Sequence, residues 1–160
     1  MPDMLVKLYT LPDLEPTLAA AEARGVTVRR ALAPEKRAIV QWVVANFASS
    51  ASEVDVSFAR SPIACFIALR GHELIGFACH DATCPNFFGP EGVIEAERGI
   101  GVGRALLLAA LHAQRAQGYA YSIIGGVGPA AFYEKAVGAV PIPDSSPGIY
   151  APMLPASKRR

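Results

Sequence analysis

The chain has almost no imbalance of charge. Fifteen lysines and arginines stand against fourteen aspartates and glutamates, a formal net charge of +1. With no global field of either sign, nothing in the composition recruits nucleic acid or an anionic membrane surface. Charged residues are also few, 18% against 52% hydrophobic. That balance excludes a disordered chain and calls for a packed core. Cysteine is scarce. Cys65, Cys79 and Cys84 form an odd, scattered set, which is neither a disulfide framework nor a zinc-ligand spacing, so no metal is expected. Cys65 and Cys79 sit inside apolar runs and are expected in the core. No hydrophobic run reaches the length of a membrane span. The start, "MPDMLVKLYT", has no apolar signal core, which makes the cytoplasm the expected compartment. Internal repeats and low-complexity linkers are lacking too. A single domain over 1–160 is expected, large enough to bury roughly two-thirds of its unfolded surface.

What is present alternates between strand and helix signals. Residues 5–9 carry a short strand pattern, closed by Pro12-Asp13. Residues 13–25 suit a helix, with Asp13 as N-cap, Pro16 in the first turn and Gly25 as the stop. "VTVRRAL" has period two and predicts a strand. "APEKRAIVQWVVANF" predicts a helix with Ile39, Val43 and Phe47 on one face. Residues 48–60 lack a period and predict a loop or a broken helix. "IACFIALR" and "ELIGFACHD" predict a hairpin. In "FFGPEGVIEAE", Pro90 cannot donate to a ladder, so this strand is expected to bulge or bend there. A helix follows to Gln117, then the strand "YAYSIIGG" and the short helix "GPAAFYEKAVGA". "VPIP" and "GIYAPML" predict edge-like strands, and 156–160 a frayed tail. The order implies an α/β (α+β) fold on a mixed sheet. Edge-like strands near both ends would allow pairing across a homodimer.

The stretch "ERGIGVGRALLLAAL" places Gly99, Gly101 and Gly103 directly before an apolar helix, with Arg98 and Arg104 beside them. Glycine lets another atom approach the backbone closely. The first amides of a helix lack intrahelical partners and lie at the positive end of its dipole. Together these make an anion site suited to a pyrophosphate. A P-loop would end in Gly-Lys-Ser/Thr, but Gly103 is followed by Arg104-Ala105. A dinucleotide fingerprint would read G-x-G-x-x-G in a parallel sheet, whereas here the spacing is G-x-G-x-G after an antiparallel run.

Arg98-Gly99-Ile100-Gly101-Val102-Gly103 matches the acyl-CoA motif Gln/Arg-x-x-Gly-x-Gly/Ala, and the chain resembles the GNAT-type N-acetyltransferases. A second family marker, an aromatic helix ending in glycine, is matched by Phe132-Tyr133-Glu134-Lys135-Ala136-Val137-Gly138, one residue longer than usual. The similarity covers roughly 26–142, so the strand–helix pair within 1–25 is expected as an addition. The resemblance implies a mostly antiparallel central sheet flanked by helices and splayed at the acyl-CoA site. It implies that acetyl-CoA is the cosubstrate, its pyrophosphate held by the amides from Ile100 to Ala105 (Ile100, Gly101, Val102, Gly103, Arg104, Ala105). The Val93-Ile94 backbone would pair with the pantetheine arm, and Gly125-Gly126 would line the other side of the gap. Phe132 would flank the donor. Tyr133 would be the general acid that protonates the leaving thiolate.

The base is open. Where the histone-acetylating branch of the family has a glutamate, this chain has Phe87. Glu91, His80 and Asp81 are the remaining candidates. A histidine has a suitable pKa, but neighbouring strand residues face opposite sides, so only one of His80 and Asp81 should look into a cleft. Trp42 and Phe87-Phe88 could wall an acceptor pocket, and Tyr150 could border it. The expected activity is acetyl transfer to the primary amine of a small molecule or peptide. The alternative is an acyl-CoA sensor or regulatory module without turnover.

Overall fold

The computed structural model describes residues 1–155, so the tail expected at 156–160 lies outside the described residues. Seven strands form one sheet: β1 (Met4–Lys7), β2 (Val26–Arg30), β3 (Cys65–Arg70), β4 (Glu73–His80), β5 (Phe87–Val93), β6 (Tyr121–Ile124) and β7 (Val140–Pro141). Five α-helices accompany them: α1 (Leu14–Ala23), α2 (Lys36–Asn46), α3 (Ala51–Ser57), α4 (Val102–Ala116) and α5 (Ala130–Val137). The spatial order is β2-β3-β4-β5-β6-β1-β7. Every pairing is antiparallel except β5 with β6. The expected mixed, mostly antiparallel sheet flanked by helices is therefore the fold.

Each face of the sheet has its own core. One gathers Val6, Ile75, Ala78 and Phe88 under α1, α4 and α5. The other gathers Ile67, Phe77 and Cys79 under Ile39 and Val43 of α2 and Val54 of α3. Cys65 and Cys79 lie directly opposite each other on β3 and β4, buried as expected. Helix α4 is the centrepiece, with Leu106, Leu107, Leu108 and Leu111 fully buried. Each contributes on the order of 1.5–3 kcal/mol of burial free energy. Small residues on β4 let α4 approach. A Cβ on Gly76 would stand 3.0 Å from both Leu106 Cδ1 and the Gly92 carbonyl oxygen.

The bend expected at Pro90 is present and sets up the site. Ala78 pairs with Glu91 and His80 with Phe88, so β5 carries one extra residue between them. Gly89 absorbs this bulge at φ +109°. The parallel ladder with β6 spans only Phe87–Ile123 and Phe88–Ile124, and ends where the bulge begins. Beyond it β5 runs on to Val93 with no strand on that side among the described residues, which is the expected splay.

Four expectations need correction. β1 stops at Lys7, because Leu8–Thr10 turns into a 3-10 helix. It is not an edge: it lies between β6 and β7 with Met4, Val6 and Leu8 buried, so it offers no free side for a homodimer. "GIYAPML" forms no strand. Its first three residues make a 3-10 helix, Gly148–Tyr150, and the predicted strand "VPIP" shrinks to Val140–Pro141. Residues 48–60, by contrast, bear out the broken-helix alternative, with a 3-10 turn at Ala48–Ser50 leading into α3.

Candidate active site

The glycine loop and the start of α4 meet the opened edge of β5 in a cleft of about 750 Å³. Gly99 and Gly101 stand at φ +81° and +92°, where a side chain would be strained, and the space a Cβ would take is open. Gly101 is the N-cap of α4 and brings no side chain to cap it. Gly103 has a different reason. Its φ is ordinary, but a Cβ there would lie 3.5 Å from Glu91 Oε1 and 3.8 Å from the Phe132 ring. Two glycines turn the chain, and the third keeps the cleft clear.

The first intrahelical bond runs from the Ala105 amide to the Gly101 carbonyl at 3.0 Å. The amides ahead of it have no intrahelical acceptor and stay available to an anion. Ala105 itself is fully buried with its amide used, so it leaves the predicted set. The side chains of Val102 and Ile100 pack against the core, which leaves only their backbone groups as candidate donors. Arg98, Arg104 and Lys135 ring the opening with positive charge. Part of Arg98 is committed, because its Nε donates to the Val93 carbonyl at 2.9 Å. Glu97 is a strut: Arg70 grips both its oxygens at 2.9 and 2.7 Å and holds the entry to the loop against β3.

The predicted strand end divides. Ile94 donates its amide to the Ile75 carbonyl at 3.0 Å, so its backbone groups point to β4 and not to the gap. Alternation along the strand then turns the polar groups of Val93 to the opened side. Gly125 and Gly126 are not in this cleft, which corrects the expectation that they leave room for a ligand arm. A Cβ on Gly125 would fall 2.1 Å from the Tyr150 hydroxyl, so that ring fills the space. The Gly126 amide is spent on Asp3 Oδ1 at 2.9 Å.

Two titratable side chains face each other inside. Tyr133 is buried on α5, its ring centroid 5.0 Å from Phe132 and 6.3 Å from Phe88. Burial, and then the nearby Glu91 carboxyl, hold its phenol above the ordinary range. Part of Glu91 is exposed, but its Oε1 is buried without a hydrogen-bond partner. Burial raises its pKa to about 8, and interaction with Tyr133 offsets only part of that. Of the three base candidates, Glu91 alone lines the cleft. Asp81 adopts φ +51°, which breaks strand alternation, so His80 and Asp81 pair with each other at 2.6 Å instead of facing opposite ways. They line a different cavity.

Phe47 and Lys135 also line the cleft and escaped sequence reasoning. Phe47 read as core on the α2 face. Its ring covers Gly92, where a Cβ would come within 2.8 Å of it. Lys135 is three positions after Phe132, so helical spacing alone could have found it.

No family model matches the sequence, and no curated protein is similar to it. Solved structures are. The GCN5-related glucosamine N-acetyltransferase region of a fungal multi-domain GH3 β-N-acetylglucosaminidase superposes with TM-score 0.72 at 14% identity over 88% of this chain. GCN5-related N-acetyltransferases from Sphaerobacter thermophilus and Kribbella flavida give TM-scores of 0.63 and 0.54 at 18% and 15% identity, again over 88%. The chain spans 19% of the fungal protein and about half of the two bacterial ones, 48% and 53%. Over 88% of its length the chain shares the architecture of these proteins: it has the GCN5-related N-acetyltransferase fold.

Proposed function

We propose that the protein is an acetyl-CoA-dependent N-acetyltransferase acting on a primary amine. One observation carries this: uncapped helix amides, an opened strand edge and the Glu91–Tyr133 pair share a single cleft. The chemistry fits the donor. Gly99 and Gly101 leave open space over the helix start for a pyrophosphate, with Arg104 and Lys135 beside it. The Val93 amide and carbonyl face the side where an extended pantetheine amide could pair, with Arg98 already on the carbonyl.

In this proposal the amine attacks the thioester carbonyl directly. A C–N bond forms and the C–S bond breaks. Glu91, once ionised, takes the proton from the amine. Tyr133 keeps its proton until the thiolate departs and then donates it. Holding both reactants in one cleft supplies up to ~7–11 kcal/mol through proximity and orientation. The competing sensor has its own support: a Glu91 carboxyl with a pKa of about 8 is mostly protonated at neutral pH, and Phe87 stands where a base is found in one branch.

Calorimetry with acetyl-CoA, followed by release of free CoA thiol across a panel of amines, separates these readings. Binding with amine-dependent thiol release supports the enzyme. Binding without release supports the sensor. Stabilisation by ATP or NAD and not by CoA would overturn both.

A further inference from the structure

Alternation along β5 puts the residues of its opened edge on two faces of the sheet. Phe88 and Glu91 both turn toward Tyr133 on α5, because the bulge between them restores the register. Phe87 and Gly92 turn the other way, toward α2 and α3. A Cβ on Gly92 would come within 2.8 Å of both the Phe47 and the Phe77 rings, and Phe77 belongs to the core under those two helices. Phe47 nevertheless lines the same cleft as Glu91, Arg104 and Tyr133. A ring on one face of a sheet borders a cleft on the other only through a gap. The gap here is the one left where β6 separates from β5 after Phe88. The cleft therefore runs through the sheet and has two mouths.

The mouths differ in chemistry. On the α4 and α5 side stand Arg98, Arg104 and Lys135. On the α2 and α3 side stand aromatic rings. Phe47 is the C-cap of α2, and its amide still donates to the Val43 carbonyl at 2.6 Å, so the helix end aims the ring. Its centroid is held 5.7 Å from that of Trp42 and 5.5 Å from that of Phe77. Tyr150 stands over Gly125, the residue after the last ladder position of β6, where a Cβ would also lie 3.0 Å from the Phe87 ring. Phe47, Phe87 and Tyr150 each keep part of their surface in solvent. Burial first, then the carboxylates of Asp3 and Glu53, hold the Tyr150 phenol above its ordinary range. Both carboxylates are already engaged, Asp3 by the Gly126 amide and Glu53 by the Thr83 hydroxyl. Among the described residues that line the cleft, Glu91 is the sole carboxylate against three cations. A second ammonium on the acceptor finds no partner there.

We infer that the acceptor enters from the α2 side and that its class is set at that mouth: a primary amine carrying one apolar group, aromatic or aliphatic, and no second charge. Phe47 is the specificity-determining residue. Its ring packs on the apolar group while the nitrogen points through the gap toward Glu91. The inference rests on the acetyl-transfer reading for the fate of this amine, and on the two-mouthed cleft alone for its binding.

The test is calorimetry on the full chain, with and without CoA. The probes are 2-phenylethylamine and hexylamine, with D-glucosamine as a polar amine and spermidine as a polycationic one. Both apolar amines should bind at least about tenfold tighter than either of the others. Phe47→Leu keeps an apolar side chain and loses the ring, so the affinity ratio of 2-phenylethylamine to hexylamine should fall by about two- to tenfold. A merely structural role for Phe47 would weaken both probes alike and leave that ratio where it was. Release of CoA thiol from acetyl-CoA with the same amines judges the acetyl-transfer reading separately. Selective binding without release overturns that reading and supports the amine mouth. The inference is overturned if none of the four amines binds, if D-glucosamine or spermidine binds as tightly as the apolar pair, or if Phe47→Leu leaves the ratio unchanged.

Discussion

Replacing Glu91 by glutamine removes a titratable group that the fold holds far from its ordinary state. In the unfolded chain the carboxyl ionises near 4.5, and in the folded protein near 8, because Oε1 is buried and unpaired. Between those values the folded state binds the extra proton, so stability falls as pH rises. The contribution is present in full below about 4.5 and has been lost once pH exceeds about 8. From pH 6 to pH 9 this linkage removes up to about 3 kcal/mol from the wild type and nothing from Glu91→Gln. For a domain of this size the loss corresponds to a differential shift in Tm of about 6–12 °C. Melting curves of both proteins at pH 6 and pH 9 measure it, and the other titrating groups cancel in the comparison. The same substitution should abolish the rise in acetyl transfer through pH 8. If the two proteins lose stability in parallel, the Glu91 carboxyl is not held protonated by burial, and its assignment as a base tuned by the cleft falls with it.

Other perturbations probe the parts separately. Gly101→Asp places a carboxylate at the N-cap in a left-handed conformation, which costs ~1–2 kcal/mol of stability and opposes a pyrophosphate; calorimetry should show acetyl-CoA binding abolished, and wild-type affinity would refute the loop assignment. Tyr133→Phe should lower turnover by ~10²–10⁴ while acetyl-CoA affinity changes little; equal turnover in the two proteins removes Tyr133 from the chemistry. Leu107→Ala should cost ~2–5 kcal/mol in denaturant unfolding, because α4 is clamped between the sheet and α1.

Much of the architecture was legible because it depends on local rules. Pro90 cannot donate to a ladder, so a bulge there followed from one residue. The glycines before an apolar helix announced an uncapped N-terminus. The assignments that failed depend on neighbours far along the chain. Gly125 looked open until Tyr150 packed over it. Ile94 looked available until Ile75 accepted its amide. His80 and Asp81 looked like alternatives until a positive φ at Asp81 joined them.

The sequence by itself thus determined the order of the elements, the bulge, and an uncapped helix start written in consecutive residues. Tertiary structure decided which carboxyl could act. Glu91 and Tyr133 are 42 positions apart in the chain. Only the splay of β5 from β6 and the docking of α5 bring them into one desolvated cleft, where burial raises the pKa of one and keeps the proton on the other. Desolvation is a property of the packed surroundings, and no local run of residues encodes it.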